Sequence, residues 1–386
     1  MSQKRLTTLV YFWAFISLGL IAGLLGPSLP SFAENTGSTL RQLSNLFILS
    51  ALGYLLGSYL AGQLLSKISG HKIMLAALIF IGLGTALLPV IRSLWVLVIL
   101  FFIIGLAQSN LDVSENTLLI WLHGKAVPPY MNGLHFFFGL GSFIAPFFIA
   151  QSIRLTNSLN TAFWVMAVIM LVPVFLILRL PSPKAPVINS QSSAESKYRT
   201  PTLLVVLLVL FFFGFVGAEV TFGTWIYTYT LENGFGDAVQ SAYLTSAFWG
   251  TFTIARLVNV VFSRWISVTN MLWITLSGSL ISLSLLIFWP DSKIALWIAI
   301  LGFGFFIATI FPTAMNFAES LNAVSSKVTS LFFVSASLSS MLSPWIVGQW
   351  FASRGPQVMV YVVIGNILLG LIFYIIIRSY QKRLLA

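Results

Sequence analysis

The chain has 386 residues, of which 58% are hydrophobic and only 8% are charged, and it contains no cysteine. A soluble domain carries about 25% charged residues, so this composition is typical of an integral membrane protein. The lack of cysteine excludes disulfides and thiol catalysis. The net charge of +11 comes from basic residues in short loops, which is the pattern of a membrane protein and gives no reason to expect nucleic-acid binding.

Apolar segments long enough to cross a bilayer, about 20 residues each, recur along the whole chain. They lie near residues 6–30, 43–65, 73–91, 94–122, 131–152, 159–180, 201–231, 239–262, 269–290, 294–318, 327–351 and 357–378. The sequence therefore predicts an all-α membrane protein with twelve transmembrane helices. A stretch rich in Pro, Ser and charge at 181–200 is predicted to be a cytoplasmic linker between a six-helix bundle at 1–180 and a second at 201–386.

The basic residues predict the orientation of the chain. If the N-terminus is inside, fourteen of the 20 basic residues lie on the inner side and five lie outside, namely Arg41, Arg92, Arg154, Lys293 and Arg354. An excess of Lys and Arg is characteristic of cytoplasmic loops. Both termini are therefore expected in the cytoplasm.

The two halves repeat weakly at a nearly constant offset. Pro146 in span five recurs as Pro344 in span eleven, 198 residues later, and the segment 53–67 in span two matches 250–264, 197 residues later. Several matches at one offset, in chain order, predict duplicated, pseudo-symmetric halves. Transporters built from such parallel repeats hold their site near the bilayer midplane.

Span four carries four polar residues, Gln108, Asp112, Glu115 and Asn116, at helical spacings that place them on one stripe. A charged residue at the bilayer centre costs about 2.5–3.5 kcal/mol, so two acids on one face need water, a partner or a proton. Asp112 lies nearest the centre and is the first candidate for proton coupling. Glu115, nearer the inner end, is grouped with it but also suits a structural role. A buried cluster that only holds helices together is the alternative. Gln108 and Asn116 are predicted to bind the solute.

Span five contains Asn132 and His135 among small residues that permit close helix contact. Both side chains are predicted to contact the solute, although a lone histidine in such a place also fits a hydrogen bond between helices. His71 and His123 are placed in inner loops. The three histidines are too far apart in this topology to bind a metal, so no metal site is expected.

Span seven contains Glu219 near its middle, beside glycines that allow close packing or local unwinding. Glu219 is the third candidate for proton coupling. Trp225 and Tyr229 follow toward the outer end and are predicted to contact the solute. Aromatic residues near a membrane surface also form interfacial belts.

Arg256 in span eight is an embedded cation that needs an anion or a ring of carbonyl groups. Glu219, Glu115 and Glu319 are the candidate partners, and the sequence does not choose among them. Glu319, near the inner end of span ten, is expected to form a structural pair with a basic residue.

Span ten repeats the polar stripe of span four without the acids, with Thr309, Thr313 and Asn316 at helical spacings. Thr313 and Asn316 are predicted to bind an uncharged polar solute. Ordinary hydrogen bonding between membrane helices explains the same residues equally well.

The twelve spans, the two six-helix halves and the loop GQLLSKISGHK at 62–72 resemble the major facilitator superfamily across essentially the whole chain. The loop is similar to the family signature Gly-x-Leu-x-Asp-Arg-x-Gly-Arg-Lys, but Ser66 replaces the acid and the glycine is displaced. Other stretches are similar to the fucose permease branch, which includes proton symporters for fucose, galactose and glucose and sodium-dependent glucose transporters. These stretches are GPSLPSF at 26–32, LGYLLGSYLAGQLL at 52–65, NGLHFFFGLGSFIAP at 132–146 and GAEVTFGTWIYTY at 217–229.

The resemblance implies a role for two residues of span four. In that branch an acid, followed four residues later by an asparagine, serves proton coupling and sugar binding, and the matching residues here are Asp112 and Asn116. The fucose permease also uses an acid in span one, which this sequence lacks. Either Glu219 takes that place or the coupling differs. The resemblance further implies that spans 1, 4, 7 and 10 line the cavity.

These observations predict a secondary active transporter that moves a sugar or similar small polar solute by alternating access, coupled to protons or sodium. Nucleotide-binding and hydrolase motifs are absent from the sequence, which disfavours an ATP-driven pump or an enzyme, and no cofactor is expected. An exporter of drugs, metallophores or other amphipathic compounds is the alternative, and a receptor that does not transport is a third. A monomer in a bacterial inner membrane is expected.

Overall fold

The computed structural model describes residues 3–185, 201–262, 265–321, 323 and 326–385, and every regular element within them is a helix. There are fourteen α-helices in this part of the chain. They are α1 Gln3–Thr36, α2 Leu40–Leu43, α3 Asn45–Leu65, α4 Gly70–Leu87, α5 Leu94–His123, α6 Pro128–Thr156, α7 Asn160–Ile177, α8 Thr202–Glu232, α9 Ala238–Phe262, α10 Val268–Phe288, α11 Lys293–Ile307, α12 Ile310–Ser320, α13 Ser326–Arg354 and α14 Val358–Leu385.

The helices coincide with the predicted spans. Among the described residues, eleven segments are long and apolar enough to cross a membrane. Two of them combine successive α-helices, α2 with α3 and α11 with α12. The helix α9 forms at the predicted position of span eight but is not among the eleven. It carries four polar or charged residues, Gln240, Thr245, Arg256 and Asn259. The predicted all-α membrane architecture is confirmed, with α9 as the twelfth helix.

Span ten is interrupted within its length. The helix α11 ends at Ile307 and α12 begins at Ile310. Pro312 has no N–H, and its ring would clash with the carbonyl of Ala308 in a continuous helix. Thr309 therefore lies just before α12, and its carbonyl oxygen still accepts a hydrogen bond from the Thr313 N–H at 3.3 Å.

Contacts divide the chain into two compact units. The first comprises residues 1–187 and 226–250, and the second comprises 188–225 and 251–386. In the first unit α3 packs against α5 and α1 against α6; in the second α10 packs against α11, α12 and α14. The predicted domain limits stay a prediction, since linker residues 186–200 lie outside the described part of the chain.

Glycines bring the backbones of α3 and α5 into direct contact. A Cβ atom added at Gly53 would lie 2.1 Å from the carbonyl oxygen of Phe102, and one at Gly105 would lie 2.1 Å from the carbonyl oxygen of Ser50. Only a residue without a side chain fits at either position. Because lipid tails are as apolar as leucine, close contacts of this kind hold membrane helices together.

Two of the close glycine contacts, one in each unit, lie at the spacing of the sequence repeat. In the first unit, a Cβ at Gly19 of α1 would lie 2.0 Å from the carbonyl oxygen of Phe138 in α6. In the second unit, a Cβ at Gly217 of α8, 198 residues later, would lie 2.2 Å from Oγ of Ser339 in α13. The packing therefore supports the interpretation that the two halves are duplicated.

Replacing Gly53 by Ala is expected to lower the melting temperature of the purified protein, because the new Cβ would overlap the Phe102 carbonyl oxygen. Overpacking of a tight core costs about 1–3 kcal/mol, whereas Ala in place of Gly within a helix gains only about 1 kcal/mol. Gly62→Ala in the same helix is the matched control, since nothing lies within 4 Å of its added Cβ. Thermal unfolding in detergent measures both variants, and equal melting temperatures would contradict the close contact.

Candidate functional site

Both carboxylate oxygens of Asp112 on α5 accept hydrogen bonds. The Tyr54 hydroxyl of α3 donates to Oδ2. Nδ2 of Asn116 lies 2.7 Å from Oδ1 and 2.9 Å from the Asp112 carbonyl oxygen, and donates to both. Tyr54 reaches the carboxylate because it sits directly after Gly53, where the two backbones touch. Hydrogen bonds to a charged acceptor are shorter and stronger than neutral ones, so this arrangement can hold a carboxylate within the membrane.

Glu115, on the next turn of α5, has very different surroundings. Its side chain is 0% exposed, and neither carboxylate oxygen has a hydrogen-bond partner among the described residues. It interacts electrostatically with Asp112 and with Tyr11 of α1. A buried charge without compensating partners is costly, so this environment accommodates the neutral carboxylic acid.

Tyr11 of α1 and His71 of α4 form a buried pair, and α1 packs against α5, the helix that carries Glu115. Nδ1 of His71 lies 3.1 Å from the Leu180 carbonyl oxygen, which can only accept a hydrogen bond. Nδ1 therefore carries the proton, and Nε2 accepts from the Tyr11 hydroxyl at 2.7 Å. The sequence predicts His71 in an inner loop without a role in transport, whereas the structure has it in the first turn of α4. Its position directly after Gly70 in the loop signature was the available signal.

The other predicted solute contacts of the first unit are dispersed over several helices. Gln108 is half-buried on α5, while Asn132 and His135 are exposed on α6. The His135 ring meets the Phe15 ring edge-on, with centroids 5.7 Å apart. Tyr229 is fully buried. Solute binding by these four residues stays a prediction.

Glu219 and Arg256 interact electrostatically within the second unit. The Arg256 guanidinium carbon lies 4.4 Å from the centroid of the Phe252 ring, and its buried Nε has no hydrogen-bond partner within the described ranges. Of the three acids considered as partners for Arg256, Glu219 is the one for which the structure gives an interaction. Glu319 and Asn316 are exposed on α12.

Two further predicted solute contacts of the second unit already have partners within the protein. Trp225 is 0% exposed, and its Nε1 donates to the Pro344 carbonyl oxygen at 3.0 Å. The indole ring stacks on the Phe351 ring, with centroids 5.0 Å apart. The Thr313 hydroxyl donates to the Thr309 carbonyl oxygen at 2.7 Å. A role for Trp225 and Thr313 in solute binding stays a prediction.

Comparison with protein families gives a match to the Major Facilitator Superfamily over residues 11–344. The chain belongs to this superfamily. Sodium-dependent glucose transporter 1A of Mus musculus is 28% identical over 372 residues, which cover 87% of each chain. Sodium-dependent glucose transporter 1 of Homo sapiens is also 28% identical, over 95% of this chain and 78% of its own length. Major facilitator superfamily domain-containing protein 4A of Mus musculus is 24% identical over 97% of this chain and 92% of its own length.

Among solved structures, a crystal structure of a mutant of nucleoside transporter NupG matches this chain with a TM-score of 0.73. The match covers 98% of this chain and 99% of that chain at 13% sequence identity. At this identity the likeness concerns the fold alone. Together with the family match, it confirms that the chain is a major facilitator transporter and not an enzyme.

Tyr54→Phe is expected to lower the melting temperature, because it removes the donor to Asp112 Oδ2 and keeps the ring. An acceptor left without its donor away from water costs about 1–3 kcal/mol. Tyr59→Phe on the same helix is the matched control, because Tyr59 is 67% exposed. If the two variants unfold at the same temperature, the hydrogen bond does not stabilise the fold.

A double-mutant cycle tests the interaction between Glu219 and Arg256. Arg256→Gln leaves Glu219 without its cation and is expected to destabilise the protein, whereas adding Glu219→Gln removes the unpaired acid. We expect the double variant to be more stable than Arg256→Gln by about 1 kcal/mol, within the usual range for coupled neighbours. Thermal unfolding measures all four proteins of the cycle, and strictly additive effects would show that the two side chains do not interact.

Proposed function

We propose that the chain moves a sugar or similar small polar solute across a bacterial inner membrane by alternating access, driven by protons. The observation that carries the proposal is the Asp112 cluster, an acid embedded in a transmembrane helix and held by Tyr54 and Asn116. Embedded acids of this kind mark ion and substrate pathways. The names of the glucose transporters similar to this chain support a sugar, and their sodium dependence makes sodium the alternative ion.

The hydrogen bonds of Asp112 suggest how solute and proton binding are linked. The charged carboxylate accepts from both Tyr54 and Asn116, whereas the protonated form carries an O–H donor on one oxygen. Protonation therefore weakens one of the two bonds and releases the Asn116 amide to donate to a solute hydroxyl. Protonation of Asp112 thus frees the Asn116 donor that the solute uses, so proton binding favours solute binding. The coupling is reciprocal, and solute binding favours protonation to the same extent. The neutral, loaded site then avoids the cost of taking a charge out of water.

The remaining candidate residues are proposed as solute contacts or as further titrating groups. Amide, hydroxyl, imidazole and indole groups supply the donors and acceptors that sugar hydroxyls need. The proposed solute contacts are Gln108, Asn132, His135, Trp225, Tyr229, Thr313 and Asn316. Glu219, paired with Arg256, is proposed as a second acid whose charge changes during the cycle. The chain is proposed to act as a monomer with both termini in the cytoplasm.

Asp112→Asn is expected to abolish D-glucose accumulation driven by a pH gradient, because the amide keeps hydrogen-bonding capacity but binds no proton. Exchange of labelled against unlabelled D-glucose, which needs no net proton movement, should continue in part. Proteoliposomes containing the purified protein measure both processes. Asp291→Asn is the matched control, since Asp291 is exposed in the loop between α10 and α11. Accumulation at the wild-type level in Asp112→Asn would contradict the proposal.

The same proteoliposomes distinguish the coupling ion and the solute class. Wild-type accumulation with a sodium gradient at constant pH, but not with a pH gradient, would replace protons by sodium. If D-glucose and other monosaccharides are not taken up while lipophilic cations or metal chelates are moved, the sugar assignment is wrong and the exporter is favoured.

A further inference from the structure

We propose that Tyr11 and His71 relay a proton between Glu115 and the membrane surface where the linker begins. The inference rests on the proposed function, because it names the route of the coupling proton. It starts from three buried side chains on three helices of the first unit, Glu115 on α5, Tyr11 on α1 and His71 on α4. Neither the similar proteins' names nor the Asp112 cluster assigns a role to Tyr11 or His71.

Glu115 is the end of the relay that lies within the membrane. In the part of the chain that the structure describes, both of its oxygens are buried without hydrogen-bond partners. An unsatisfied buried polar group in a native fold calls for an explanation, such as a functional role. A merely structural acid would be expected to have donors, as Asp112 does. Glu115 instead has the electrostatic influence of Asp112 on its own helix and of Tyr11 across the helix contact. A carboxylic acid that exchanges its proton with a neighbour fits these surroundings.

Tyr11 and His71 supply the next two groups. Their hydrogen bond is 2.7 Å long, and the rings meet edge-on with centroids 5.8 Å apart. A hydroxyl that donates to an imidazole nitrogen at this distance is arranged for proton transfer. Histidine is also the side chain that changes charge most readily near neutral pH.

His71 connects the pair to the end of the first six helices. Its Nδ1–H donates to the Leu180 carbonyl oxygen at 3.1 Å, and its backbone N–H donates to Ser182 Oγ at 3.4 Å. Leu180 and Ser182 follow α7, and Pro181 between them is exposed. The imidazole therefore spans from the buried hydroxyl of Tyr11 to a segment that reaches the surface.

The transfer changes only O–H and N–H bonds. The Glu115 carboxyl gives its proton to the Tyr11 oxygen through one water molecule, while the Tyr11 hydroxyl proton passes to Nε2 of His71. Glu115 is then a carboxylate, Tyr11 is neutral and His71 is an imidazolium. His71 releases its Nδ1 proton to water beside Leu180 and becomes the other neutral tautomer. The reverse sequence loads Glu115 from the surface.

A second histidine at the same end of the unit serves as the internal control. Nε2 of His123 lies 2.8 Å from the Thr8 hydroxyl, and the His123 ring stacks on the Tyr130 ring with centroids 3.5 Å apart. Its electrostatic neighbour is Lys4, a cation. The groups that surround the relay itself are Asp112 on α5 and, beyond it, Tyr54 on α3. His123→Gln thus changes a buried histidine of the same region outside the relay.

Infrared difference spectroscopy of the full chain in lipid tests the relay without any solute. The C=O stretch of the Glu115 carboxylic acid is identified by its loss in Glu115→Gln, and its shift after transfer to D2O reports how fast the proton exchanges. Tyr11→Phe and His71→Gln are expected to slow this exchange by about 100-fold, the low end of the contribution of a positioned proton-transfer group. His123→Gln should leave the rate unchanged.

Wild-type exchange rates in Tyr11→Phe would overturn the relay, and so would a wild-type protein in which no Glu115 acid band is found. Thermal unfolding tests whether each variant is folded. If His71→Gln does not fold, the exchange rate in Tyr11→Phe alone tests the relay, because this variant keeps the packed ring. In proteoliposomes, Tyr11→Phe should reduce D-glucose accumulation driven by a pH gradient while exchange of D-glucose continues. Failure of the proposed function would appear separately. In that case wild-type proteoliposomes would not accumulate D-glucose in a pH gradient, whatever exchange rate the infrared experiment gives for Glu115.

Discussion

The close contact between α3 and α5 is the constraint on which the candidate site depends. A hydrocarbon interior offers no water to a polar group, so any acid placed there needs its donors from the protein. Gly53 and Gly105 let the two backbones meet, and this approach puts the Tyr54 hydroxyl on Asp112. A bulkier residue at either glycine would separate the helices and leave the carboxylate without that donor. The glycines are thus as much a part of the site as the polar residues.

Two acids on one helix have opposite surroundings, and this difference gives them different proposed tasks. Asp112 accepts from two side chains, which suits a group that must be stable as an anion and respond to a solute. No described residue donates to either oxygen of Glu115, which suits a group that is stable only while it holds a proton. Because the two lie on consecutive turns and interact electrostatically, charging one penalises charging the other. A single proton shared along α5 would then serve both the solute site and the surface.

The sequence was sufficient for the features that depend on local patterns. Apolar length predicted the helices, and helical spacing placed Asp112 and Asn116 on one stripe of α5, where the structure has them hydrogen-bonded. It did not predict Tyr54, Tyr11 or His71, because these partners come from other helices. A helix that is apolar nearly all round gives no periodic signal for the face it turns inward, so the rotation that brings two such helices together is fixed by packing alone. The apolar pattern likewise predicts an unbroken span ten, although Pro312 is a residue type that interrupts helices.

The polar character of α9 has a consequence for how the chain is assembled in the membrane. An arginine at the centre of an inserting helix costs about 2.5–3.5 kcal/mol, and α9 carries Arg256 together with Gln240 and Asn259. Its partner Glu219 lies on the preceding helix, α8. During synthesis α9 therefore gains from entering the lipid as a hairpin with α8, so that the two charges leave water together. The Glu219–Arg256 pair would in this way also influence the order in which α8 and α9 enter the membrane.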